Sequence, residues 1–175
     1  MPEKKRSLQP ISPTAPLPLP SPRMFSANLI EHVPQFLREY VVDIKEVGGD
    51  GNCGFRAIGE MIGIGQENWY SVRQSMINEL RQNVAQYMKV YQTDQRYQQV
   101  LQGLTVAPNE FVLIDKWLSI PDIGHLVASA YNVVFVTIYK KGCTTFFPHF
   151  GPVPHPLEHK FVTLLHVNEN HWVQV

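Results

Sequence analysis

The sequence predicts an α+β domain: helices first, then a small, mostly antiparallel sheet that they flank. Three observations carry this. Apolar residues recur at helical spacing through the earlier part of the chain, β-branched and aromatic runs crowd its later part, and Gly, Pro and Asn turns separate those runs. Helix-rich and strand-rich stretches that segregate along a chain favour α+β over an alternating parallel sheet.

The elements follow in order. Seven of the fourteen prolines lie between Pro2 and Pro22, so residues 1–23 are expected to form a Pro-rich, disordered tail outside a domain at 24–175. "PTAPLPLPSP" suits an aromatic groove of the SH3 kind or a plain linker. Those prolines also interrupt the apolar helix that an export signal needs. From Met24, the residues Phe25, Leu29, Ile30, Val33, Phe36 and Leu37 recur at helical spacing, broken by Pro34. "YVVDIKEV" reads as an extended segment leading to a turn at Gly48-Gly49. After Cys53, the spacing of Phe55, Ile58, Met61 and Ile62 predicts a buried helix that Gly63 and Gly65 end.

A single amphipathic helix is predicted from Asn68 to Tyr91. Trp69, Val72, Met76, Leu80, Val84 and Tyr87 form its apolar stripe, and Arg73, Gln74, Arg81 and Gln82 face water. A shorter helix follows around Asp94 to Leu101. "IPDIGHLVASAYN" reads as a helix starting after Pro121, with Asp122 near its N-cap. Strands are expected at Val133 to Tyr139, Thr144 to Pro148, Lys160 to Val167 and His171 to Val175.

Composition excludes several classes. At 44% hydrophobic and 11% aromatic, the 175-residue chain has the make-up of one folded domain. Fifteen basic residues balance fifteen acidic ones, so no net field draws it to nucleic acid or an anionic membrane. No apolar run approaches the ~18–20 residues of a membrane span. The two cysteines, Cys53 and Cys143, sit in unlike surroundings and are too few for a disulfide framework. Both read as reduced thiols of an intracellular protein, cytoplasmic or nuclear. Cys143, after Lys140, Lys141 and Gly142, reads as an inert hairpin thiol.

Cys53 is different. In "VGGDGNCGFRAIGEM" it stands where a glycine-rich turn enters a helix. The first N–H groups of a helix lack intrahelical partners, and the positive end of the macrodipole favours an anion there. A thiol so placed is expected to have its pKa lowered, as a nucleophile needs. The loop Asp50, Gly51, Asn52 and Cys53 can turn its N–H groups towards one point, with Cys53 as one oxyanion donor and Asp50 or Gly51 as another. The side chain of Asn52 suits either a further donor or a plain turn. Arg56 is expected to brace the loop through a carboxylate. A base is available in His171, after a polar turn at the start of a strand; Cys and His pairs meet in the fold and not along the chain. "HPLEH" has metal-like spacing, but Pro156 breaks the helix that would aim both rings at one ion, so zinc is not expected.

Asp50-Gly51-Asn52-Cys53 followed by Phe55-Arg56-Ala57, with the late His171-Trp172, resembles the ovarian tumour (OTU) family of cysteine proteases. The similarity runs from about Ile44 to the C-terminus. It includes "WLSIPDIGHLVASAYNVVFVTIY", which is similar to OTU-like domains of transposon-related plant and fungal proteins. The resemblance implies a papain-like OTU fold and a deubiquitinase that cuts after the C-terminal glycine of ubiquitin or a ubiquitin-like protein. It implies Cys53 as nucleophile, His171 as base and acid, a thioester intermediate, and no metal or organic cofactor. The implied partners are ubiquitin or a relative, polyubiquitin chains included, met by a monomer.

Many family members carry Asp or Asn two residues after the histidine to hold its tautomer. Here that residue is Val173. Others take an acid from before the cysteine, which implies Asp43; a solvated surface carboxylate is the alternative reading. Asn168 and Asn170 lie close to His171 in sequence but read as turn residues rather than as its orienting group, and Glu169 is a weaker candidate still. Trp172 either lines the substrate's Gly-Gly end or packs in the core. Glu110, Asp115, Asp122 and Trp117 lie in the segment available for a wall along a basic tail. Two further readings stand beside the isopeptidase: a catalytically weak or inactive OTU-like module that binds ubiquitin or another protein, and a cysteine peptidase or acyltransferase of another fold.

Overall fold

The computed structural model describes residues 28–149, 158 and 160–175. The expected Pro-rich tail and the "HPLEH" segment, Glu158 apart, lie outside the described residues. Five α-helices precede four strands: α1 Cys53–Met61, α2 Trp69–Gln82, α3 Val84–Tyr91, α4 Asp94–Leu104, α5 Gly124–Tyr131, then β1 Val134–Tyr139, β2 Gly142–Phe146, β3 Phe161–Val167 and β4 His171–Gln174. Short 3-10 turns at Ile30–His32 and Gln35–Tyr40 stand where the first helix was expected, on either side of the Val33-Pro34 break. The class is α+β, as predicted. No helix among the described residues is long and apolar enough to cross a membrane.

The sheet order is β2-β1-β3-β4. The β1–β2 and β3–β4 pairs are antiparallel hairpins, and the central β1–β3 pair is parallel. Alternation along each strand feeds two cores. Phe135, Val162, Leu164 and Trp172 join the main core with α1, α2, α4 and α5. Ile138, Leu165, Val167 and Val173 meet Leu29, Val33, Val41 and Ile44 on the other face. The sheet is therefore covered on both faces, and an isolated antiparallel bridge from Lys45 to Gln174 ties the segment before α1 alongside β4.

Three expectations change. The long helix is two, because it breaks at Asn83 (φ −119°, ψ 36°), whose side-chain amide binds the Glu79 carbonyl and carboxylate at 3.2 and 3.0 Å. An Asn that satisfies itself locally competes with helical propagation. Beyond the break, Val84 is exposed while Tyr87 stays in the core. Second, Asp122 caps nothing: α5 starts at Gly124, and the Asp122 carboxylate pairs instead with Arg96 of α4. Third, Arg73 does not face water. It is fully buried.

Candidate active site

The loop before α1 is held by its own side chains. The Asp50 Oδ1 accepts the Asn52 N–H at 3.0 Å, and Arg56, one turn into α1, grips the same carboxylate at 2.7 Å through Nη2. Arg56 also donates to the Gln66 carbonyl at 3.2 Å and to Glu67 at 3.1 Å. It braces the loop, as the sequence suggested. Burial alone would push the Asp50 carboxyl up; the hydrogen bonds and charge of Arg56, with the Asn52 N–H, outweigh it and hold the group below its ordinary range. The same contacts correct the oxyanion set. The Asn52 N–H is engaged by Asp50, which leaves the N–H groups of Asp50, Gly51 and Cys53 as the loop's candidate donors. Gly51 turns the chain with φ +82°, and a Cβ there would lie 2.9 Å from both Trp117 Nε1 and Val112 Cβ.

Cys53 opens α1 and is buried, 6% exposed. Its Sγ accepts the Trp172 N–H at 3.5 Å, which joins the helix start to β4. Burial pushes the thiol up from its ordinary value. The N–H groups of Trp172, Gly54 and Cys53 itself pull the other way, and the Asp50 charge adds to the rise. The expected lowering is thus reversed in the resting protein, because desolvation exceeds what the helix start supplies.

His171, the first residue of β4, shares a cleft of about 390 Å³ with Cys53, Glu46, Gly49, Asn170 and Trp117. Glu46 Oε2 lies 3.5 Å from His171 Nε2. The Cε1 and Nδ1 edge of the ring runs past Gly49, 3.7 and 3.8 Å from where a Cβ would stand. Asp43, the expected acid, pairs instead with Lys45 Nζ at 3.8 Å. The reason is direction. The bridge joins Lys45 to Gln174 antiparallel, so the chain after Lys45 runs back towards the start of β4 and His171, while the chain before it runs away. Glu46 was missed; its place past the bridge is a tertiary fact.

Val173 is apolar because it is fully buried in the second core. Asn168 (φ 50°), as read, and with it Glu169 (φ 60°) form the β3–β4 turn. The Trp172 ring is buried against His166 and Tyr139, at centroid distances of 4.6 and 5.6 Å, so of its two readings core packing describes it. Cys143 is exposed at the start of β2, in a hairpin.

The aromatic at the cleft is Trp117, which donates to the Val112 carbonyl at 3.3 Å and borders three cavities. Glu110 lines the one beside Asp50 and Gly51 and pairs with Lys116 at 2.8 Å; Asp115 and Asp122 line another, beyond Trp117. The acids expected in one wall are therefore divided between two cavities. Phe111, Leu113 and Ile114 are exposed at 84%, 57% and 76%, around Val112, which packs on Gly51.

No family model matches the chain, and no curated protein sequence does. Solved structures do. The viral OTU domain protease from Qalyub virus aligns over 75% of this chain and 81% of its own, with a TM-score of 0.54 at 13% identity. The OTUD1 OTU domain aligns over 75% and 83%, with 0.53 at 14%. The Hazara virus OTU, solved bound to ubiquitin, aligns over 75% and 78%, with 0.51 at 13%. The chain has the fold of OTU domains.

Proposed function

We propose that this chain is a thiol-dependent isopeptidase that cuts after the C-terminal glycine of ubiquitin or a ubiquitin-like protein. One observation carries the reading: in an OTU fold, a cysteine at a helix start and a histidine at a strand start line one cleft, with the Glu46 carboxylate 3.5 Å from Nε2 of the imidazole. His171 takes the Cys53 proton as the sulfur attacks the scissile carbonyl. The loop's free N–H groups receive the oxyanion. His171 then protonates the leaving amine as the C–N bond breaks, leaving a thioester, and finally activates the water that hydrolyses it. Glu46 holds the ring's tautomer and orientation, the part an acid plays in such triads. The raised resting thiol suits proton transfer coupled to attack rather than a standing thiolate.

A ubiquitin whose C-terminus carries an electrophile tests this. Intact mass should show one ubiquitin added to wild type and none to Cys53→Ala. No addition, with a small thiol reagent still labelling Cys53, discards ubiquitin as the acyl donor.

A further inference from the structure

Arg73 is a buried cation with no anion beside it. It lies on α2 at 0% exposure. Its Nε and Nη2 both donate to Asn52 Oδ1, at 3.0 and 2.9 Å, its Nη2 also to the Lys116 carbonyl at 2.8 Å, and its Nη1 to the Gly103 carbonyl at 3.0 Å. The guanidinium carbon stands 3.7 Å from the centre of the Phe55 ring. Among the described residues no carboxylate is within ion-pair reach of it. Burial lowers its pKa to about 10, with Asp50 and Glu110 opposing from a distance, so it stays charged at neutral pH.

Such an arrangement is poor design for stability alone. A buried charge is expensive without a counter-ion, and an apolar side chain of similar volume usually serves a core as well or better. An Asp at position 52 would match the fork of Arg73 bidentately and neutralise it. The chain has the isosteric neutral amide instead, directly before Cys53.

We propose that Arg73 and Asn52 are a positioning pair for the reaction, in which a neutral acceptor fixes the loop before Cys53 while the buried positive charge is left uncompensated to favour the anions formed at that helix start. The proposal rests on Cys53 being the nucleophile, as above. It explains why a cation stands on the apolar stripe of α2, in register with Met76, Ile77 and Leu80, and why its three acceptors are all neutral carbonyl oxygens.

Two variants of the full chain separate this from a merely structural role. Asn52→Asp keeps the shape and supplies the missing anion; Arg73→Lys keeps the charge and loses the fork. Each is measured by thermal melting and by the pH profile of Cys53 alkylation with iodoacetamide, which needs no ubiquitin. Hydrolysis of a ubiquitin C-terminal amide is measured alongside. Asn52→Asp should melt at or above wild type, yet move the alkylation midpoint up by roughly one pH unit or more and lower kcat at least about tenfold with KM held. Arg73→Lys should melt lower yet keep the wild-type alkylation midpoint. Activity and midpoint that simply follow melting temperature across the two variants would overturn the proposal. So would an Asn52→Asp protein that fails to fold, because Arg73 would then not be short of an anion. Wild type inert towards ubiquitin with the alkylation pattern intact would remove the substrate and leave the pair standing.

Discussion

The Glu46 carboxylate lies 3.5 Å from Nε2 of His171, while Asp43, three residues earlier in the same segment, faces Lys45. One bridge, Lys45 to Gln174, decides between the two acids. Glu46 is itself largely exposed, so its effect is that of an orienting partner and not of a buried ion. Glu46→Ala should lower kcat on a ubiquitin C-terminal fluorogenic amide on the order of tenfold or more, and Asp43→Ala should stay within about twofold. The opposite ranking would return the role to Asp43.

The buried thiol makes a pH prediction. Folding raises its pKa, so the folded state prefers the neutral form. That contribution to stability is full below the unfolded value of ~8.5 and fades as pH rises through the folded one. Iodoacetamide should therefore modify Cys53 with a midpoint above ~8.5. The melting temperature of wild type should fall relative to that of Cys53→Ala on the alkaline side. A midpoint near 7 would show a standing thiolate and contradict the burial.

Asp50 behaves with the opposite sign. Its carboxyl is held low in the folded protein, so the stabilisation is present above the unfolded value of ~3.9 and disappears as pH falls through the folded one. Asp50→Asn should melt below wild type at neutral pH, and the gap should close in acid. A gap that persists at pH 2 would mean that the Arg56 clamp is not what the variant removes.

Gly51 is a geometric requirement. Its φ of +82° and the 2.9 Å approach to Trp117 and Val112 leave no room for a methyl group. Gly51→Ala should destabilise by about 1–3 kcal/mol and, by displacing the donor N–H groups, lower kcat by roughly a hundredfold. Chemical denaturation and steady-state kinetics read the two effects separately. Unchanged kcat would take the loop out of the oxyanion site.

The strip of Phe111, Leu113 and Ile114 is exposed apolar surface beside the cleft, the kind of surface that marks a contact with another molecule. Phe111→Ser with Ile114→Ser should raise KM for a ubiquitin substrate several-fold and leave kcat and melting temperature near wild type. Equal KM would place the substrate's body elsewhere.

Read by itself, the sequence determined the α+β class, all four strands to within two residues at their ends, and two of the side chains that line the cleft, Cys53 and His171. These follow from local chemistry: periodicity, turn residues, and a glycine-rich entry to a helix. That Arg56 braces the loop was legible for the same reason, though not which carboxylate it grips; Asp50 lies six residues before it. Only the tertiary structure decided that Glu46 and not Asp43 meets the imidazole, that Trp117 rather than Trp172 walls the cleft, and that Arg73 is buried. Arg73 left a trace, because it shares i, i+3, i+4 and i+7 spacing with Met76, Ile77 and Leu80, but a charge on an apolar stripe looks like a boundary residue until its acceptors are known. Those acceptors, Asn52, Gly103 and Lys116, come from three distant parts of the chain. Burial and partnership are set by which segments pack together, and that is a property of the whole fold, on which local spacing carries no information.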